Sequence, residues 1–231
     1  MRLLIVGHGK MGQLIERLAP DYGFEVAGIL ELDSNAAGGG VTPERCRDVD
    51  VAVDFSTAEA TLVTLPRLAA AGVNIVVGTT GWQEHEAEVR KAVEDAGIGA
   101  VVAANFSLGA NLMNALTKEM GRLLADKGTY GAWIHEAHHK AKIDAPSGTA
   151  LMLKRALEET GYELPIDVSS TRAGSIPGTH SVGFDGPAEG LTLTHEVRDR
   201  ATFAHGALEA ARWVTGRKGW YTMRNVLGLG S

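Results

Sequence analysis

Five residues in the middle of the chain, HEAHH at 135–139, hold its densest cluster of proton-transferring groups. They match H-E-x-x-H, in which two histidines one helical turn apart grip zinc and the glutamate acts as base. That chemistry needs a helix, and the flanks oppose one. GTYGAWI upstream is rich in glycine, aromatic and β-branched residues, and Pro146 follows seven residues after His139. No third ligand stands at the spacing of the longer zinc motifs. No metal is expected here. An extended segment alternates its side chains between two faces. His138, Lys140 and Lys142 then share one parity, and His139 shares the other with Ala141. Several cations on one cavity attract a carboxylate-rich small molecule. Ser147, Gly148 and Thr149 read as the capped start of a helix, whose free N–H groups suit a second carboxylate. A histidine can relay protons near neutral pH. The segment therefore reads as a site that binds a small dianion and protonates it, with a solvated basic loop as the competing reading.

A second constellation opens the chain. GHGKMG at 7–12 fits G-x-G-x-x-G, directly after a predicted strand and at the start of a predicted helix. Gly7 allows the tight turn, Gly9 lets the backbone approach a pyrophosphate, and Gly12 lets helix and strand pack closely. The helix N-terminus adds N–H groups and the positive end of its dipole. Glu31 lies 19 residues after Gly12, at the end of the next predicted strand, where a carboxylate accepts from ribose hydroxyls. Leu32, Asp33 and Ser34 follow without a cation, and these carboxylates repel a 2′-phosphate. NADH is the favoured coenzyme; Arg45 or Arg47 could still reach in to admit NADPH, although both read more simply as solvated surface charges.

These groups need a scaffold. Apolar runs LLIV (3–6), FEVAGIL (24–30), VDVAVDF (49–55), VNIVV (73–77) and IGAVVAA (98–104) alternate with helical segments, which implies βαβ units and a parallel sheet. After residue 107 come a helix, an extended WIHEAHH, a helix over 147–160, three glycine-punctuated strands and a last helix over 201–216. The fold class is α/β: an N-terminal Rossmann-type doubly wound parallel sheet plus a smaller α+β domain. The chain has 231 residues, a formal net charge of −6 and a single cysteine, Cys46. The charge disfavours nucleic acid as a partner, and one cysteine permits no internal disulfide. No apolar run approaches the ~20 residues that span a bilayer, and MRLLIVGHGK is too glycine-broken for a signal peptide. A cytoplasmic location is expected, with no membrane partner.

EAHHKAKIDAPSGTA (136–150) resembles the signature of the 4-hydroxy-tetrahydrodipicolinate reductase family, also called dihydrodipicolinate reductases, at every fixed position. GHGKMG, VGTTG (77–81), ANFSLGAN (104–111), RAGSIPGTHSVGF (172–184) and the tail VLGL (226–229) are similar to further family segments. The resemblance implies an NAD(P)H-dependent oxidoreductase that forms tetrahydrodipicolinate in the diaminopimelate route of lysine biosynthesis. It implies a dinucleotide-binding domain over 1–107, completed by 206–231, and a substrate-binding and oligomerisation domain over 108–205. His138 becomes the acid/base and Lys142 the proton donor. His139 contacts one carboxylate of the dicarboxylate substrate, and Ser147, Gly148 and Thr149 hold the other. Gly7, His8, Gly9, Lys10, Met11 and Gly12 surround the pyrophosphate, and Glu31 takes the adenosine ribose. Gly78, Thr79 and Thr80, then Ala103, Ala104, Asn105 and Phe106, form the nicotinamide-side loops. Family members are typically homotetramers. Many carry arginine where this chain has Leu32. An NADH-dependent reductase of another small dicarboxylate and a non-catalytic dinucleotide sensor fit the same halves; a sensor, however, has no use for a proton donor.

Overall fold

A computed structural model describes residues 1–31 and 33–229. In chain order the elements are β1 (Arg2–Val6), α1 (Lys10–Leu18), β2 (Glu25–Leu30), α2 (Pro43–Cys46), β3 (Val51–Asp54), α3 (Ala58–Ala70), β4 (Asn74–Val77), α4 (Glu86–Ala96), β5 (Gly99–Val102) and α5 (Leu108–Leu124). Then come β6 (Gly131–His138), α6 (Gly148–Glu158), β7 (Ile166–Arg172), β8 (Thr179–Asp185), β9 (Gly190–Glu196), α7 (Ala201–Val214), β10 (Gly219–Tyr221) and α8 (Met223–Val226). The chain divides into two units, 1–108 with 201–231, and 109–200.

The first unit is a six-stranded sheet in the order β10-β5-β4-β3-β1-β2, with every pair parallel. Its strands are apolar throughout because both faces are covered. Leu4, Val6, Ala52, Ile75 and Val77 face one core, with Leu65 and Leu68 of α3 and Val89 and Val93 of α4. Their neighbours Leu3, Ile5, Val51, Val53, Val76 and Val101 face a second core, with Ile15 of α1 and Ala204, Ala207, Leu208 and Val214 of α7. The chain runs from β1 outward to β2, then returns to place β3 on the other flank of β1. That reversal opens a crevice at the carboxyl ends of β1 and β3, where open α/β sheets bind ligands.

The second unit is a mixed sheet in the order β7-β6-β8-β9: β6 runs parallel to β7 and antiparallel to β8, and β8 and β9 are antiparallel. Successive residues of β6 alternate between faces. Ala132, Ile134, Glu136 and His138 are buried, while Trp133, His135 and Ala137 lie on the more open face. Ala132 and Ile134 pack with Val182, Phe184, Met113 of α5 and Leu153 and Leu157 of α6. Glu136 and His138 thus continue an apolar row, which makes their polarity costly and worth explaining. Helix α6 starts where predicted: the Ser147 hydroxyl accepts from the amide of Ala150 at 3.2 Å.

Candidate functional site

At the crevice of the first unit lies a cavity of about 540 Å³, lined among others by Gly7, His8, Gly9, Glu31, Phe55 and Ser56. Gly7 has φ +89°, and a Cβ there would sit 2.5 Å from the Phe55 carbonyl oxygen. A Cβ on Gly12 would collide with the carbonyl of Gly7. Both glycines are thus required for the turn to close against its neighbours. Gly9 caps α1 without a side-chain hydrogen bond, so the first amides of that helix face the turn without a side-chain cap. A turn with no Cβ at its tightest points, opening an uncapped helix beside a carboxylate, fits the pyrophosphate and ribose of a dinucleotide.

His8 bridges two acidic groups: its Nε2 lies 2.7 Å from Glu16 and its Nδ1 3.5 Å from Glu31. Arg45, one of two cations the sequence left open for a 2′-phosphate, donates to the backbone carbonyls of Gly40 at 3.3 Å and Ser34 at 3.5 Å. Leu32 lies outside the described residues. Gly78, Thr79 and Thr80 follow β4, and Ala103, Ala104, Asn105 and Phe106 follow β5, all at carboxyl ends of strands. Phe106 is buried and its ring centroid lies 5.8 Å from that of Phe55. Asp54, passed over in the sequence, ties the loop after β4 to the residues that follow β3. It is fully buried and accepts from the Ser56 amide (2.8 Å), the Ser56 hydroxyl (2.6 Å), Thr79 (3.0 Å) and Thr61 (3.3 Å). Burial raises its pKa against the pull of those four donors.

In the second unit, strand β6 decides what HEAHH can do. His135 lies on the opposite face from Glu136 and bonds the Ser169 hydroxyl at 2.9 Å. The residues of the zinc pattern therefore do not converge. Glu136 and His138 meet instead, with the carboxylate Oε2 accepting from the His138 Nδ1–H. Glu136 is completely buried. Arg172 clamps it from two sides, Nη1 to Oε2 at 2.8 Å and Nη2 to Oε1 at 2.7 Å, and the Ser147 amide adds a bond to Oε1 at 3.2 Å. Burial alone would raise the Glu136 pKa; the bonds from Arg172, Ser170 and His138 outweigh it and hold the group at about 2. An ionised carboxylate only accepts, so the proton on His138 sits on Nδ1.

His180 completes the cluster. Its Nε2 lies 2.9 Å from the Ser147 hydroxyl, and its ring meets that of His138 edge-on with centroids 5.0 Å apart. Burial first, and then the charge of His138, push its pKa down to about 4, so His180 is neutral. Glu136, His138 and His180 bring possible metal-ligand atoms within 4.8 Å of one another. The guanidinium already on both oxygens of Glu136 opposes a second cation there.

The strand ends at His138, so the predicted alternation does not extend to residues 139–142. These residues turn instead: the Lys142 amide bonds the His139 carbonyl at 3.1 Å. The Lys142 ammonium lies 2.7 Å from Asp144, whose pKa it lowers. Ser147 is 2% exposed with both polar groups engaged, whereas Gly148 is exposed and Thr149 half-buried at the open start of α6. Glu136, Arg172 and His180 were missed as functional residues. The one local signal was the two-residue step from Glu136 to His138, the period of a strand.

The N-terminal model of the dihydrodipicolinate reductases matches residues 1–106, and their C-terminal model matches residues 109–227. A 4-hydroxy-tetrahydrodipicolinate reductase of Methanopyrus kandleri is 39% identical over 230 residues, covering 92% of this chain and 83% of the relative. One from Rhodopseudomonas palustris is 36% identical over 269 residues, covering 100% of this chain and 98% of the relative. Among solved structures, a dipicolinate-bound dihydrodipicolinate reductase from Paenisporosarcina superimposes with a TM-score of 0.80 at 21% identity, over 96% of this chain and 97% of that one. A probable dehydrogenase from Thermotoga maritima shares the fold with a TM-score of 0.64 at 8% identity. Two family models that together span nearly the whole chain, and relatives above a third identical over their length, lead to one conclusion: the chain belongs to the dihydrodipicolinate reductase family.

Proposed function

We propose that the protein is an NAD(P)H-dependent oxidoreductase that reduces 4-hydroxy-tetrahydrodipicolinate to tetrahydrodipicolinate, the 4-hydroxyl leaving as water, in the diaminopimelate route of lysine biosynthesis. The carrying observation is the buried Glu136–His138 pair, clamped by Arg172, beside the open start of α6, on a chain whose other unit offers a dinucleotide crevice. A bound reduced nicotinamide supplies the hydride. The residues of the second unit do the rest. The first N–H groups of α6, at Gly148 and Thr149, and the His139 imidazole hold the two substrate carboxylates. His138 serves as acid/base through Nε2, since Nδ1 is committed to Glu136. Lys142, a cation kept near the site by Asp144, delivers the proton that completes the reduction.

A dinucleotide-binding domain over 1–107 with 206–231 serves the coenzyme, and a domain over 108–205 serves substrate and assembly into a homotetramer. NADH is the preferred coenzyme. Glu31 stands at the end of β2 with His8 beside it, and Arg45 is spent on backbone carbonyls. No described helix is long and apolar enough to cross a membrane. The reading of a non-catalytic sensor is disfavoured by a buried glutamate–histidine pair that coenzyme binding does not require.

The deciding experiment couples the purified protein to a dihydrodipicolinate synthase and follows NADH and NADPH oxidation separately. Synthase-dependent oxidation, faster with NADH, is expected. Oxidation of neither coenzyme rules the reading out; faster oxidation of NADPH rules out the coenzyme preference alone.

A further inference from the structure

We propose that Glu136, fixed by Arg172, is the positioning residue of this site: one buried carboxylate sets the tautomer of His138 and, through the Ser147 amide, anchors the start of α6 against it. The inference rests on the reading of His138 as acid/base.

The geometry is asymmetric in a telling way. Oε1 accepts from Arg172 and from the amide that begins the capped turn of α6. Oε2 accepts from Arg172 and from the imidazole. The two substrate-handling elements, His138 and the helix start, are therefore referenced to the two oxygens of one rigid group. A stabilising role alone does not account for it. Glu136 follows Ala132 and Ile134 on the inward row of β6, where an apolar side chain would pack without the cost of desolvating two charges. Arg172 holds the carboxylate ionised, hence a pure acceptor, and this forbids the other tautomer of His138. The groups that face the imidazole are Glu136 on its own strand, His180 edge-on from β8 and, across the carboxylate, Arg172 from the opposite position on β7. Glu136 is the one among them bonded to the ring.

Glu136→Gln provides the test. A glutamine has one acceptor oxygen; if Arg172 and the Ser147 amide take it, an NH₂ faces His138, and the ring must accept at Nδ1 and carry its proton on Nε2. Long-range ¹H–¹⁵N correlation on the ligand-free protein reads the tautomer, with His138→Gln identifying the resonance. The expected result is Nδ1–H in the parent, Nε2–H in Glu136→Gln, and a kcat loss on the order of 10³- to 10⁴-fold, as for a wrong-tautomer histidine elsewhere, with NADH affinity unchanged. An unchanged tautomer overturns the proposal. So does an inverted tautomer with undiminished kcat. If Glu136→Gln does not fold, Glu136→Gln with Arg172→Met removes the stranded guanidinium, and the same readouts apply. Absence of turnover in the parent sinks the proposed function alone; the tautomer of the ligand-free protein then decides this inference by itself.

Discussion

Among the described residues, each unit buries one carboxylate completely, and the two are treated in opposite ways. Glu136 receives a two-point guanidinium, and its pKa falls to about 2. Asp54 receives one amide and three hydroxyls, pairs with no cation among the described residues, and has its pKa raised by burial. Burial opposes charge in both. Four good donors do not offset it for Asp54; a fixed countercharge does for Glu136. A permanent anion is what a histidine of defined tautomer requires. A hub that gathers the Ser56, Thr61 and Thr79 hydroxyls needs acceptors, and an ion is not essential to that task.

The largest effect should come from stripping the countercharge. Arg172→Met strips the guanidinium from a buried carboxylate and should clearly lower the urea-unfolding midpoint at pH 7, with most of the loss recovered on adding Glu136→Gln. A single variant as stable as the parent would show that the pair fastens nothing. Next, His138→Gln and Lys142→Ala should each lower kcat by about 10²- to 10⁴-fold in the coupled assay, while NADH titration of the free protein stays unchanged; unaltered turnover in both would move the chemistry elsewhere.

The third prediction compares the two carboxylates by pH. The folded pKa of Glu136 is depressed, so the stability it contributes is present above about 4.5 and lost as pH falls toward about 2. Glu136→Gln should flatten that acid limb. The folded pKa of Asp54 is raised, so the stability it contributes is present at low pH and lost as pH rises through the folded value. Asp54→Asn should remove that decline and gain on the parent as pH rises, changing stability at neutral pH by about 1 kcal/mol or less. Equal slopes in the parent and Asp54→Asn would contradict the contrast. The smallest effect belongs to an exposed carboxylate. Glu31→Gln should shift the NADPH-to-NADH affinity ratio toward NADPH by a few-fold, since solvent screens that site; a ratio that does not move would remove Glu31 from coenzyme selection.

What the sequence revealed and what it hid follow one physical line. The glycine turn, the alternation of strands and helices and the Ser147 cap are written in residues a few positions apart. The cluster around Glu136 is written in pairing register. Parallel pairing sets His138 opposite Arg172, 34 positions on, and antiparallel pairing sets Glu136 opposite His180. No local pattern announces such partners. The alternation proposed for His138, Lys140 and Lys142 failed for a related reason: it assumed a strand that the turn at 139–142 cuts short.

The first unit is discontinuous in the chain, and this dictates an order of assembly. Its sheet lacks half of one cover until α7 delivers Ala204, Ala207, Leu208 and Val214 beside α1, and lacks its outer strand until β10 docks on β5. On a ribosome both arrive after residues 109–200 have emerged. The nascent sheet therefore waits, one apolar flank covered by α1 alone, for a segment made last, and a chain stalled inside the insertion carries the whole glycine turn on a sheet whose second core is half built.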